Sequence, residues 1–501
     1  MRERYQRGPS VRVWSTMVAL DGMAEGEDTR QGRYAIDDDD RAHAVSTAWM
    51  TALSATTVVA VWAGTAVLPL VVAVAVVAWM RRRAVVGLAV VVLALLGLWR
   101  SADAWHGLRP DTLGPFHGWA RLVDDPQPYP TSTRVIVEVD GERFEVWIRG
   151  RARRLRVAGW RGGEWVAVQG ERVALEPERA DRVAWQHVVG ELRLEWASDV
   201  HPGDAVARAS NRVRTAIERA AEQLPADDGA LFRGLVVGDD RDQPREMIDR
   251  FRASGLSHLT AVSGQNVSFL LAASGPLLRR LRPWGRWAVS IGLIAWFVAL
   301  TRFEPSIVRA GVMAGLSATA FVLGRERGPV RILAVAVTGL VLVDPLIVWS
   351  VGFWLSVGAT LGVSSAGPWI ARRLGELDPT RLFGLPVGVT LGAQLGVVVP
   401  SVLVFGRLPL VSIPANLLAV PVVGAVMLYG MPAGLVAGWC PPLAPLLMFP
   451  PRLGVRWVDT VATLGARLEP APPAQFLGWA AVTVVVAALL MLSELRRRTT
   501  P

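Results

Sequence analysis

Four consecutive polar or small residues interrupt an apolar run near the middle of the chain. The run begins at His258 and reads HLTAVSGQNVSFLLAASG, so that Ser263, Gly264, Gln265 and Asn266 lie inside it. Such side chains are costly at membrane depth because no water satisfies them, and they commonly face a cavity or a bundle interior. We therefore predict that His258 and these four residues line a membrane passage. Close helix packing through Ser and Gly is the alternative.

An arginine near the start of a later apolar segment is a second candidate. Arg309 follows Glu304 by five residues, so the two are not ideal partners on one helix. A guanidinium within a span needs a carboxylate, carbonyl groups or water. It also matches phosphate groups bidentately. We predict that both residues line the passage, and a structural ion pair or snorkelling of Arg309 to the interface is the alternative.

Two amides beside prolines complete the candidate lining. Asn416 lies between two prolines, and Gln394 lies shortly before Pro400. Prolines in apolar segments favour interrupted helices, and irregular backbone at membrane depth is tolerated where it lines a cavity. We therefore predict that Gln394 and Asn416 line the same passage.

A serine enzyme is an alternative that the spacing disfavours. A nucleophilic serine needs a base within reach, and none of the six histidines lies C-terminal of Ser263. His258 precedes it by five residues, which is about 140° around a helix. No GxxxxGK[ST] loop occurs, and the single cysteine, Cys440, excludes a multi-cysteine metal site. We therefore expect no catalytic residue, no metal and no other cofactor, so a partner must supply any energy.

Composition predicts a membrane protein around these residues. The 501 residues are 52% hydrophobic and 19% charged, with a mean hydropathy of +0.35, which is too apolar for an average soluble protein. The net charge is +10, and all 53 basic residues are arginine. A basic excess is typical of nucleic-acid binding, but in a membrane protein it first reflects loops kept in the cytoplasm. The chain is predicted to be mainly α-helical and polytopic.

The N-terminal part is predicted to be a soluble tail followed by short spans. Residues 1–47 are rich in charge and glycine, and we interpret them as a disordered cytoplasmic tail. Three apolar segments lie within 48–100, with a tight hairpin expected at 64–65. They are 48–63, 66–80 and 84–100. The three arginines at 81–83, kept in the cytoplasm, put residue 101 and the polar region after it outside.

Residues 105–200 are predicted to form a small external β-barrel. Short runs rich in β-branched and aromatic residues alternate with glycines, which is typical of strands and turns, and an OB-like barrel is the best match. The strands are expected at 134–139 and 144–148, flanking a DG turn, as two strands within 163–175, and at 188–196.

The barrel carries a candidate surface for nucleic acid. OB barrels bind single strands by combining stacking aromatics with a basic groove. Packing of the tryptophans in the barrel core is the alternative. The candidate DNA-binding residues are Arg149, Arg151, Arg153, Arg154, Trp147 and Trp165.

The rest of the chain is predicted to be a helical core reached through amphipathic connecting helices at 204–256. The first of these is expected to lie on the outer membrane face. The core is expected over 257–495, with a cytoplasmic tail at 496–501, and we predict about 11–12 spans in all. Its apolar runs are 257–277, 286–302, 306–323, 329–343, 346–366, 383–404, 411–438, 475–494 and a weaker amphipathic run at 443–467.

Several segments in this order resemble the signature of the ComEC family of bacterial competence proteins. They are GDDRD (238–242), HLTAVSGQNV (258–267), EPSIVRAGVMA (304–314), DPLIVWSVGFWLSVGATLG (344–362) and VPSVLVFGRLPLVSIPANLLAVP (399–421). The resemblance implies a channel that passes single-stranded DNA across the cytoplasmic (inner) membrane during natural transformation. It also implies three partners beside the lipid bilayer, namely an external DNA receptor, an ATP-driven translocase on the cytoplasmic side and a nuclease. An OB-like domain at this place in the chain is a further expectation of the resemblance.

Two departures from the family pattern limit what the resemblance implies. Many relatives have a histidine where this chain has Asn266, so a role of that histidine is not transferred. The family's C-terminal metallo-β-lactamase-like domain is expected to be absent, since the chain stops at RRRTTP and has no HxHxDH cluster. A separate nuclease would then be required. A permease for another polyanion or a small solute remains the alternative function, followed by a membrane-embedded enzyme.

Overall fold

The computed structural model describes residues 33–260, 264–325, 328–375 and 384–499. The chain divides into two units, Met1–Trp49 and Met50–Pro501. In the first unit, helix α1 (Arg33–Ala63) begins at Arg33, so residues 33–47 of the predicted disordered tail are helical. The rest of that predicted tail lies outside the described residues.

The N-terminal apolar segments form two long elements instead of three. Helix α1 continues through a 3-10 turn (Gly64–Val67) into α2 (Leu68–Met80), and α3 (Ala84–His106) comes next. A Cβ at Gly97 of α3 would lie 3.2 Å from Val61, and one at Gly87 would lie 3.4 Å from Ala78. Because α3 runs antiparallel along both α1 and α2, these two form one bent rod. The predicted tight hairpin at 64–65 is therefore wrong.

Six strands form the β domain. Their bounds are β1 (Gly114–Leu122), β2 (Gln127–Pro128), β3 (Ser132–Val139), β4 (Glu142–Arg149), β5 (Trp165–Ala174) and β6 (Val188–His201). Two short helices, α4 (Arg151–Val157) and α5 (Pro177–Val183), lie on either side of β5 in the chain.

The sheet closes into a barrel. The strand order is β1-β5-β6-β4-β3-β2, and a further pairing of β1 with β3 joins the two ends. β4 and β6 are parallel, and the other pairs are antiparallel. The predicted β domain is therefore present as a barrel of five long strands, with a helix between the third and the fourth, and its assignment to the OB-like barrels stays a prediction. Phe144, Val166 and Leu192 are buried in its interior.

The region 163–175 is one strand, not the two predicted. The sequence pattern predicts a break at Gly170. In the structure Gly170 instead continues β5, at a position where the pairing of β5 with β6 is irregular. A Cβ there would overlap the carbonyl group of Arg193. The glycine therefore allows a close approach of backbones, which is a common role of glycine inside a strand. Strand β1 is not among the strands that the sequence patterns predict.

Fourteen helices come after the barrel. They are α6 (Ala205–Ala221), α7 (Ala226–Val237), α8 (Arg245–Ala253), α9 (Ser257–Thr260), α10 (Gly264–Leu278), α11 (Pro283–Leu300), α12 (Pro305–Val322), α13 (Pro329–Val343), α14 (Val351–Ser364), α15 (Ala366–Gly375), α16 (Gly384–Phe405), α17 (Ser412–Trp439), α18 (Ala444–Leu468) and α19 (Pro472–Thr499). These are the helices of the described residues, and α19 extends into the predicted tail at 496–501.

Among the described residues, six helical segments are long and apolar enough to cross a membrane. They are Thr47–Met80, Ala84–His106, Pro283–Leu300, Pro305–Val322, Gly384–Phe405 and Ser412–Trp439. Three shorter apolar helices are Pro329–Val343, Val351–Ser364 and Ala474–Val486. The chain is thus a polytopic helical membrane protein with a small β domain, although fewer helices reach spanning length than the 11–12 predicted. The amphipathic helix α18 is not one of the six.

Helix α6 packs against the helical core. Ile217 of α6 is fully buried, and a Cβ at Gly438 of α17 would overlap the carbonyl group of Ala216. At the other end of α17, Ser412 lies against Gly255. The segment 216–255 therefore accompanies the whole of α17.

Glycines join α14 to α16. A Cβ at Gly358 of α14 would overlap the backbone of Gly396, and one at Gly362 would overlap that of Gly392. Small residues of this kind let membrane helices approach until their backbones touch. This contact fixes the position of α14, which carries the hydroxyl groups of Ser356 and Thr360.

Candidate functional site

A buried arginine without a carboxylate partner lies in the helical core. Arg309 is on the second turn of α12 and is 4% exposed. Its Nη1 donates to Thr360 Oγ1 at 2.9 Å and contacts Met313 Sδ at 3.4 Å, and its Nη2 donates to Ser356. Its Nε has no hydrogen-bond partner among the described residues. Within the described part of the chain, Arg309 forms no ion pair with a carboxylate, so its charge is balanced only by neutral groups.

Gly264 lies directly against this arginine. A Cβ at Gly264 would lie 2.9 Å from the Cβ of Ala310 and 3.3 Å from Arg309 Nη2. The structure therefore brings together two residues that the sequence suggested separately, on α10 and α12. The hydroxyl groups of Ser356 and Thr360 come from a third helix, α14, and were not predicted. Ser263 precedes Gly264 in the chain but lies outside the described residues.

The other predicted residues of this run occupy different surroundings. Asn266 is buried and donates to the carbonyl oxygen of Leu235 on α7 at 3.2 Å, so it joins α10 to α7. Gln265 is half-buried, and His258 of α9 is exposed. The position of Asn266 fits the packing alternative better than a role in lining.

Gln394 and Asn416 form a second polar group between α16 and α17. Gln394 Nε2 donates to Ser412 Oγ at 2.8 Å, and Asn416 Nδ2 donates to the Ser412 carbonyl oxygen at 2.7 Å. Both prolines inside α17 leave it continuous, as does Pro400 inside α16. The predicted breaks in these helices are therefore absent, and both amides donate hydrogen bonds to Ser412.

Three carboxyl groups gather where α12 begins. Glu304, directly before α12, is exposed. Partial desolvation by the surrounding protein, with repulsion from Asp124 and Asp240, raises the pKa of Glu304 to about 7. Burial and the neighbouring Asp125 raise the pKa of Asp124 to about 6. At neutral pH Glu304 is therefore partly protonated, which weakens its repulsion of an anion.

A network of buried charges joins the barrel to the helical core. Asp125, in the loop after β1, accepts hydrogen bonds from Arg214 of α6 at 2.6 Å, from Arg302 at 3.1 Å and from the Gly162 amide at 2.8 Å. Although burial opposes it, Arg214 and Arg302 hold the pKa of Asp125 well below its usual range. Sequence analysis missed this residue, because an aspartate in a loop has no local signal of burial.

The GDDRD segment belongs to the same network. Arg241 donates to Asp239 at 2.7 Å and to Glu218 of α6 at 3.0 Å. Glu218 also accepts from Arg161 of the barrel. These bonds show that the GDDRD segment positions the barrel on the core. Its resemblance to the family signature was the only sign of importance in the sequence.

The predicted DNA-binding residues do not form one surface. Arg149, Arg151 and Arg153 are exposed, and a depression of about 420 Å³ beside α4 is lined by Thr133, Arg151, Arg154 and Leu155. Trp147, on β4, is half-buried, with the guanidinium of Arg179 from α5 at 4.9 Å from its ring. Trp165 lies on β5, which β6 separates from β4. Trp165 is 39% exposed.

Three curated proteins are similar to part of this chain. ComE operon protein 3 of Bacillus subtilis (strain 168) is 29% identical over 289 residues, which cover 54% of this chain and 35% of the relative. The uncharacterized protein YcaI of Escherichia coli (strain K12) is 28% identical over 205 residues, covering 39% and 27%. Competence protein ComA of Neisseria gonorrhoeae is 29% identical over 272 residues, covering 47% and 38%.

The matched segments span about a third of the length of these curated relatives. No solved structure matches the chain. The family described as Competence protein matches residues 235–498, more than half of the 501 residues, and this stretch contains both Gly264 and Arg309. The chain therefore belongs to the Competence protein family, the ComEC group of competence proteins.

Proposed function

We propose that the protein is the conduit through which single-stranded DNA crosses the cytoplasmic membrane during natural transformation. Membership in the competence family gives a role in competence and DNA uptake, and the apolar helices make the chain a multi-pass membrane protein. The finer proposal rests on Arg309, a buried cation that lacks a carboxylate partner among the described residues and lies beside a glycine.

The chemistry of this site suits a phosphodiester chain. Each phosphate carries one negative charge, and a guanidinium matches its oxygens bidentately. The hydroxyl groups of Ser356 and Thr360 can replace water on the same phosphate, while the absence of a side chain at Gly264 lets α10 lie directly against the guanidinium. Conduction requires binding that is favourable but weak. One cation with neutral neighbours meets that requirement better than a cluster of arginines.

The barrel supplies a second part of the proposal. Arg149, Arg151 and Arg153 are exposed where β4 ends and α4 begins, and an exposed basic surface attracts a polyanion before it reaches the membrane. We propose that this surface collects the strand, and that the charge network at Asp125 holds the barrel over the start of α12. An external receptor would deliver DNA, and an ATP-driven translocase on the cytoplasmic side would pull it.

No catalytic step is part of this proposal. A conduit needs no nucleophile at Ser263, no metal and no cofactor, and degradation of the other strand falls to a separate nuclease. A permease for a smaller polyanion is the second candidate, because Arg309 would bind a free phosphate group equally well. Competition distinguishes the two. In a small-solute permease, excess unlabelled solute should reduce uptake of the labelled solute at concentrations that leave DNA uptake intact.

The test is the import of a labelled strand in cells with matched amounts of protein in the membrane. Gly264→Leu adds bulk beside Arg309 and should abolish import, whereas Gly292→Leu should not, because nothing lies within 4 Å of a Cβ at Gly292. Ser263→Ala should be mild in a conduit and fatal in a serine enzyme. Normal import by Gly264→Leu would remove this site from the DNA path. Loss of import with Ser263→Ala alone would support the enzyme.

A further inference from the structure

Three tryptophans share one exposed face of the barrel, on β1, β5 and β6. Trp119 of β1 pairs with Ala167 of β5, and Trp165 lies two residues before Ala167 on the same face. Trp196 of β6 pairs with Gln169, two residues after Ala167. The three residues are 51%, 39% and 51% exposed in chain order. Exposed large aromatics grouped in this way mark an interaction surface.

This face, which we call the tryptophan face (Trp119, Trp165, Trp196), has little positive charge. The exposed charged residues of its three strands are Glu171, Arg193, Glu195 and Asp199. Arg121 is paired with Asp204 at 3.4 Å. Single-strand binding surfaces combine stacking aromatics with a basic groove. Here acidic groups outnumber the one exposed arginine, so the charge disfavours DNA as the partner of this face.

One end of the tryptophan face, which we call its lower end, contains Trp119 and Trp165. It lies next to the end of a candidate span. Trp165 pairs with His201, and the His201 ring lies 4.9 Å from that of Trp119. Trp165 is three residues from Gly162, where a Cβ would lie 3.0 Å from Arg302, so at most about 10 Å of extended chain separates the two. Arg302 comes shortly after α11, which ends at Leu300.

An exposed phenylalanine continues this apolar surface at the span end. Phe303, next to Arg302, is 68% exposed. Indoles are enriched where a membrane meets water, because the ring is apolar while its N–H still reaches a polar partner. The headgroup layer on each side of a bilayer is about 5–8 Å thick. An indole close to a span end lies within reach of it.

We propose that the lower part of the tryptophan face, Trp119 and Trp165, inserts into the lipid headgroup layer around the protein's own spans. This contact is separate from the DNA path and does not depend on it. It holds the barrel against the bilayer from one side, while the buried charges at Asp125 hold it against the helical core. Trp196, further along the strands, then lies nearer to water.

A nitroxide label at position 201 tests this proposal in the full chain. His201→Cys, in a background with Cys440→Ser, keeps all three tryptophans and places the label beside Trp119 and Trp165. After reconstitution into phosphatidylcholine–phosphatidylglycerol vesicles, collisions with oxygen, which partitions into lipid, are compared with collisions with a water-soluble nickel chelate. Arg153→Cys on the exposed side of α4 is the matched control, and Gln169→Cys reports the far end of the face.

Oxygen should relax the label at 201 more effectively than the nickel chelate, with the reverse order at 153 and an intermediate ratio at 169. Trp119→Ser with Trp165→Ser should move the label at 201 toward the values at 153. Equal exposure to the nickel chelate at 201 and 153 would overturn the proposal. Protection at 201 that appears only with an added thymidine oligonucleotide, or only at high protein-to-lipid ratio, would also overturn it, in favour of nucleic acid or a second copy.

Discussion

Arg309 is a charge that the fold stabilises poorly. It is buried among hydroxyl groups and a thioether, and an uncompensated buried charge costs several kcal/mol. We expect Arg309→Met to leave the stability unchanged or to raise it by ~1–4 kcal/mol, which is the usual range when apolar residues replace buried charges, and to abolish DNA import. The measurements are unfolding in detergent and labelled-strand import.

The matched control for Arg309 is a buried arginine that has a partner. Arg134 in the barrel donates to Glu145 at 3.0 Å, so Arg134→Met leaves that carboxylate with one arginine fewer. We expect a loss of up to ~3–5 kcal/mol, because a buried pair is broken and the Glu145 carboxylate keeps only Arg179 as an arginine partner. A comparable loss for Arg309→Met would show that Arg309 is structural.

Asp125 is the residue that most directly joins barrel and core. Asp125→Asn should lower the free energy of unfolding by ~3–5 kcal/mol, because two buried arginines lose their carboxylate. Asp103→Asn is the control, since Asp103 pairs with Arg100 at 3.1 Å but is 58% exposed, and such pairs contribute ~0–1 kcal/mol. Equal effects of the two substitutions in chemical denaturation would contradict the role assigned to Asp125.

Asp124 should give the stability an unusual dependence on pH. Its pKa is raised from 3.8 to about 6 in the folded protein, so the folded state binds the proton more tightly than the unfolded state. Between these values the stability contributed by Asp124 falls as pH rises, and it is constant above about pH 6. Asp124→Asn should remove that fall. Thermal unfolding from pH 4 to 7 measures it, and identical slopes in both proteins would contradict the assignment.

Residue types predict part of this site, but they do not predict the partners. Gly264 and Arg309 are recognisable because small or charged residues in apolar runs are costly. The contacts of Arg309 with Ser356 and Thr360 join α12 to α14, and such a contact depends on helix packing that leaves no local pattern. Asn266 carries the same sequence signal as Gly264, yet it donates to Leu235.

At the scale of elements, the glycine contacts between α14 and α16 determine how closely these helices approach. Gly396→Ala should destabilise the protein by ~1–3 kcal/mol, the usual cost of overpacking, because its Cβ would overlap the Gly358 backbone. Gly292→Ala on α11 is the control, with nothing within 4 Å of its Cβ. Thermal unfolding of the two variants measures the difference, and equal midpoints would mean that the helices separate without cost.

Apolar runs predict most helices, but they do not predict the connections. Gly64 separates the segments 48–63 and 66–80, and glycine with positive φ is typical of a turn; here φ is +59° and the chain bends without reversing. The same ambiguity at Gly170 divides one strand into two in the sequence-based prediction. Glycine permits both a turn and a close approach, and only the neighbouring element decides between them.

At the scale of the whole molecule, the barrel and the arginines at 325 and 331 lie at opposite ends of α13. Asp344, in the turn between α13 and α14, contacts His187 of the barrel at 3.1 Å, whereas Arg325 and Arg331 lie at the other end of α13. Retention of arginine in the cytoplasm then predicts an external barrel. The single rod of α1 and α2 reduces the crossings before the barrel from three to two.

Cysteine labelling tests this orientation. With Cys440→Ser, Asp140→Cys should react with an impermeant maleimide in intact cells, and Arg82→Cys should react only after the membrane is opened. Asp140 is in the exposed turn between β3 and β4, so poor access is not expected there. Labelling at 82 but not at 140 in intact cells would reverse the orientation.

The central claim is that a DNA strand passes Arg309, and a strand arrested in transit tests it most directly. A photo-reactive residue at Thr360, whose hydroxyl accepts from Arg309 at 2.9 Å, is compared with the same residue at Thr338 on α13, whose hydroxyl donates to Ala334. A labelled strand with a bulky protein at its trailing end stalls during import. The account predicts a crosslink to the strand at 360 and none at 338. A stalled strand that crosslinks at neither position, or at 338 alone, would contradict it.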